Sequence, residues 1–113
     1  MKEKVFELPE IFKGSGDVSG VIFTQIEFNK KEGYYVYERN DGVWEIFERR
    51  VIPLSGFRAS AEKYKGYTHF VKYPSSSDFG KWAWCIIDKT LIPKIIKNRI
   101  LLPKTVTTEL IAD

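Results

Sequence analysis

The tripeptide Asn40-Asp41-Gly42, set between two runs of aromatic, β-branched and charged residues, limits the fold of this chain more than any other feature. Tyr34 to Arg39 and Val43 to Ile52 read as strands, and a short Gly-containing loop between such runs makes a hairpin. Two registers compete. A two-residue Asp-Gly turn sets Glu38 directly opposite Glu45, like charge against like. A three-residue loop with Gly42 in the left-handed conformation instead pairs Arg39 with Val43, Tyr37 with Glu45, Val36 with Ile46 and Tyr35 with Phe47. That register matches apolar with apolar and is the one expected.

The hairpin needs neighbours. Val21 to Phe28 reads as a strand, with Ile22, Ile26 and Phe28 on one parity and Val21 and Phe23 on the other. A fourth strand is expected at Tyr67 to Tyr73, ending at Pro74, and a fifth at Phe79 to Ile87, with Trp82, Trp84 and Ile86 sharing a face. Residues 53–66 lack periodicity and read as a long loop, either mobile or holding one helical turn around Ala59–Tyr64. Close behind the fifth strand comes a helix over 91–101. With Thr90 as N-cap, Pro93 falls in the first turn, where its missing N–H costs nothing. Ile92, Ile95, Ile96 and Ile100 then line one face, with Lys94, Lys97 and Asn98 opposite and Pro103 as the stop. Residues 1–19 read as a short strand or extended arm and then a loop, since Gly14-Ser15-Gly16-Asp17 is a loop signal, and 104–113 as a tail, either a last strand or a frayed end. The whole is one α+β domain, an antiparallel sheet of four to five strands over 20–87 with one C-terminal helix.

Composition agrees with this reading. Hydrophobic residues make up 43% and charged residues 29% of 113, the balance of a folded domain. The eight Phe, six Tyr and three Trp suit half-buried pleated surfaces. A single cysteine, Cys85, excludes an internal disulfide and any multi-cysteine metal site. The longest apolar run, Trp82 to Ile87, is too short to span a bilayer, and the charged N-terminus has no signal-peptide core. A cytoplasmic protein is therefore expected, with no membrane partner. The net charge of +3 is uneven: residues 53–87 sum to +3 and 88–113 to +2, while 1–19 and 20–52 are each −1. Such asymmetry can mark a side that faces a polyanion.

Catalytic chemistry finds little support. His69 is the only histidine and lies within an expected strand, without an orienting partner in sequence. Cys85 sits in Trp-Ala-Trp-Cys-Ile-Ile, where an inert buried thiol is expected. Glu27, Glu38, Glu45 and Glu48 could make an acid–base or metal patch, but Glu45 and Glu48 differ in parity. Arg39, Arg49 and Arg50 are at hand for ordinary ion pairs. The glycines at 14, 16 and 20 fit no phosphate-binding loop. No enzyme, cofactor or metal is expected.

Aromatic and basic residues do interleave. Tyr35, Tyr37 and Phe47 share a face in the expected register, with Arg39 and Arg49 beside them. One helix covers one face of a sheet, so an exposed aromatic face is expected on the other. Rings and arginines of this kind are enriched at interface hot spots, which favours a non-enzymatic module binding a protein partner or itself. The 53–66 loop is a further contact candidate. The alternative is single-stranded DNA or RNA, with bases stacked on the same rings and cations following the backbone.

Tyr35-Val36-Tyr37-Glu38, Trp44-Glu45-Ile46-Phe47-Glu48-Arg49-Arg50, Tyr73-Pro74 and Phe79-Gly80-Lys81-Trp82-Ala83-Trp84 together resemble small uncharacterised proteins of Bacteroidetes and their phages or mobile elements. The resemblance covers about Phe12 to Ile100, with Trp44 in place of the usual Tyr and a longer insert at 53–66. It implies the same strands, a following helix and a phage or mobile-element context, and carries no function. The element order is also similar to that of β-β-β-β-α single-strand-binding modules of the Whirly kind, a likeness of architecture alone.

Overall fold

The computed structural model describes residues 3–103. The tail at 104–113 lies outside the described residues. A five-stranded antiparallel sheet forms the centre, in the order β2 (Ile11–Lys13), β3 (Ile22–Asn29), β4 (Tyr34–Arg39), β5 (Trp44–Glu48) and β8 (Ala83–Ile86). A second sheet of three strands has β7 (His69–Val71) between β1 (Val5–Phe6), parallel to it, and β6 (Val51–Pro53), antiparallel.

The hairpin adopts the expected register, with Tyr35 opposite Phe47, Val36 opposite Ile46 and Tyr37 opposite Glu45. The Arg39 N–H donates to the Val43 carbonyl at 2.8 Å, and Gly42 closes the loop at φ +87°, a conformation that costs a glycine little. The run after it is shorter than expected. It breaks at Arg49–Arg50, and its far end crosses into the three-stranded sheet as β6. The expected fourth strand pairs in that same sheet as β7, not beside the hairpin.

A bulge alters β3. The register shifts between Gln25 and Glu27, so Ile26 is the extra residue, and its side chain is exposed. Past an inserted residue every side chain changes face. Phe28 therefore joins Phe23 and stacks on Tyr35 at 4.5 Å between ring centroids, which corrects the parity expected for this strand.

Each face of the large sheet is covered. The chain has a short α1 at Gly56–Ser60, and the C-terminal helix starts as a 3-10 turn at Lys89–Leu91, continues as α2 (Ile92–Ile95) and widens into a π-helix at Ile96–Leu101. Its cap is Asp88, whose carboxylate accepts the Thr90 N–H at 3.0 Å, so the helix begins two residues before the expected Thr90 cap. Ile96 and Ile100 bury against Tyr34, Val36 and Ile46, with Ile92, Ile95, Trp84 and Ile86 around them, while Lys94, Lys97 and Asn98 are exposed as expected. The opposite face holds Phe23, Tyr35, Tyr37, Phe47 and Ala83. It is covered by Val5, Leu8 and Phe12 from the N-terminal arm and by Val51, Val71, Tyr73 and Phe79. Trp82 joins this second core instead of sharing a face with Trp84, because Gly80 to Trp82 still form a turn and the strand begins at Ala83. Residues 53–66 hold α1 and a 3-10 turn at Glu62–Tyr64.

Candidate functional site

The residues expected to form an exposed contact surface are interior. Tyr35, Tyr37 and Phe47 are each 0% exposed. Phe47 stacks at 5.6 Å from Tyr35 and 5.8 Å from Tyr37. Their polar ends tie down the arm: the Tyr37 hydroxyl donates to the Pro9 carbonyl at 2.7 Å and accepts from Gln25 Nε2 at 3.0 Å. The Tyr35 hydroxyl donates to Glu7, and Arg49 Nε donates to the same carboxylate at 3.0 Å. The exposed aromatic face is thus corrected to a core, because the arm and the small sheet supply the cover that a single helix could not. Arg39 and Arg49 are spent inside the molecule as well, Arg39 on Asp41 and Glu45 and Arg49 on Glu7.

The second polar centre is chemically richer. Glu45 is buried to 1% exposure, accepts the Tyr73 hydroxyl on Oε1 at 2.6 Å and receives Arg39 Nη1 on Oε2 at 2.9 Å. Burial pushes its carboxyl above the usual range, against the pull of Tyr73 and Arg39. Burial and the same carboxylate also raise the Tyr73 phenol. In the Glu7 centre burial likewise raises the carboxyl, but the bonds from Arg49 and Tyr35 outweigh it and the net shift is downward. Glu45 lines a cavity of about 340 Å³ with Arg39, Tyr73, Asp17, Phe79 and Cys85. Cys85 stands opposite Glu45 in the β5–β8 pairing and is exposed, which corrects the inert buried thiol expected from its apolar surroundings. It lies on the outermost strand, where one flank has no neighbour.

The open flank of β8 is the other unusual surface. Glu48 N–H donates to the Trp82 carbonyl at 3.0 Å, so alternate residues from Trp82 turn their backbone groups towards β5. Ala83, Cys85 and Ile87 turn theirs outward. The Ala83 carbonyl is taken by Gly80 N–H at 2.7 Å, which leaves Cys85 and Ile87 open among the described residues. Ile87 is 79% exposed and Leu91 41%, and with Val43, Cys85, Ile86 and the single charged residue Asp88 they line a shallow, mostly apolar groove along this edge.

His69 sits in β7 with Nδ1 2.7 Å from Thr68 Oγ1 and Nε2 3.6 Å from Glu3, far in the fold from the Cys85 strand. Among the described residues no group of three or more His, Cys, Asp or Glu side chains could hold a metal ion, and no helix is long and apolar enough to cross a membrane. Sequence reasoning missed both the Glu45 cavity and the β8 edge. The uncharged run Trp82–Ile87 gave no signal for the edge, because interior and outermost strands read alike until the pairing order is known. No family model matches the chain, and neither a curated protein nor a solved structure matches it.

Proposed function

We propose that this chain is a non-enzymatic protein-binding module that works by strand addition at β8, and that a second copy of itself is a partner the edge fits. The observation that supports this is the open backbone of Cys85 and Ile87 inside an apolar rim. The run from Ala83 to Ile87 carries no charge and meets Asp88 only at its end, and an edge of that kind is a template for another strand, whereas edges are normally blunted by lysine or proline. The edge is also self-matching. In an antiparallel pair related by a two-fold axis, Cys85 comes opposite Ile87 of the second copy and Ile86 opposite Ile86, so the two open residues exchange hydrogen bonds. Phe57, 97% exposed on α1, is a single ring and carries less weight.

Single-stranded nucleic acid is the weaker reading. The rings it would stack on are Tyr35, Tyr37 and Phe47, and they present no face to a base. What remains is the basic outer side of the helix at Lys94, Lys97 and Arg99, a salt-dependent attraction without a stacking platform.

Sedimentation velocity under reducing conditions tests the proposal. The wild type is expected to associate with rising concentration, and Ile87→Lys, a change at an exposed position, is expected to stay monomeric. A wild type that remains monomeric at hundreds of micromolar ends the reading of pairing between copies.

A further inference from the structure

We propose that the cavity over Glu45 binds an alkylammonium group, carried by a small free amine or by a lysine side chain. This is independent of strand addition at β8. At about 340 Å³ the cavity has the size of a small-ligand site. Its charge runs against that of the molecule. The chain carries +3 overall, yet among the described residues the only cation in the lining is Arg39, and Arg39 already serves two carboxylates, Asp41 and Glu45. Asp17, exposed at the mouth, has no ion pair among the described residues. An anion entering here meets one guanidinium already shared by two carboxylates. A cation meets Asp17 first and Glu45 below it.

The lining also suits the body of such a ligand. Each Glu45 oxygen accepts one donor and keeps a lone pair for another. Tyr73 and Phe79 are the two aromatic residues that line the cavity, and they give it apolar wall for the stem of such a ligand. A primary ammonium on a short chain suits the carboxylates and the apolar wall, whereas a carboxylate of the same length suits the wall alone and meets Asp17 and Glu45 with like charge.

An NMR titration of the full chain decides the matter, using n-butylammonium, butyrate and N-acetyl-lysine methylamide. The expected result is saturable shifts of the Asp17, Phe79 and Ser15 amides, none of which lies on the β8 edge, with n-butylammonium and none with butyrate. Asp17→Asn, at an exposed position that leaves the fold alone, should weaken binding about threefold or more. Binding of the blocked lysine as well would assign a lysine side chain as a source, and its failure to bind would restrict the site to free amines. Equal shifts with butyrate, no shift at tens of millimolar amine, or indifference to Asp17→Asn overturns the proposal. Ile87→Lys should leave this titration unchanged, so failure of the β8 reading and failure of this one remain distinguishable.

Discussion

Glu7 and Glu45 each hold a tyrosine hydroxyl and an arginine, and the protein treats their protons oppositely. Burial works to raise both carboxyls; for Glu7 the Arg49 and Tyr35 bonds win, while for Glu45 burial wins. The linkage signs follow. Glu7, lowered from the ordinary value of 4.5, contributes stability above that value, which is lost as pH falls through its lowered folded value. Glu45, raised from 4.5, favours the folded state most at low pH, and that contribution is lost as pH rises through its raised value. Urea unfolding should therefore show the stability gap between wild type and Glu7→Gln widening as pH rises towards about 4.5 and levelling off above about pH 5. The gap to Glu45→Gln should instead narrow as pH rises above about 4.5. Parallel curves for both variants would contradict the assignment.

At the scale of elements, the hairpin and the helix carry the clearest costs. Gly42 closes the β4–β5 loop at φ +87°, and an alanine there must hold a conformation it disfavours, so Gly42→Ala should cost about 1 kcal/mol in urea unfolding. Ile100 is 1% exposed under the sheet, and Ile100→Ala should cost about 2–4 kcal/mol by loss of burial and the cavity left behind. Lys97→Ala on the opposite side of the same turn should change stability by less than about 0.5 kcal/mol. These elements were legible in sequence because their signals are local: a turn type selects a register, and a period of three to four residues selects a face. The Ile26 bulge was not legible. It depends on how β3 meets β4, and no property of Ile26 itself sets it.

At the scale of the molecule, the N-terminal arm is part of the core and not an appendage. Val5, Leu8 and Phe12 cover the aromatic face, Glu7 anchors Tyr35 and Arg49, and Pro9 accepts from Tyr37. Deleting residues 1–13 should uncover those rings and abolish cooperative thermal unfolding followed by circular dichroism; a deletion variant that melts like the wild type would refute this account. The sequence by itself determined the hairpin and its register, the helix with its buried isoleucines and the α+β class, since each rests on residues near one another in the chain. Only the tertiary structure decided that Tyr35, Tyr37 and Phe47 are core, that Arg39 and Arg49 pair internally, and that β8 is an edge bearing an exposed Cys85. The physical reason is common to all three. A side chain's alternation says which face it is on, but whether that face meets water depends on which distant segments return to cover it. Here the covering comes from the arm and from the three-stranded sheet, whose strands lie far apart in sequence.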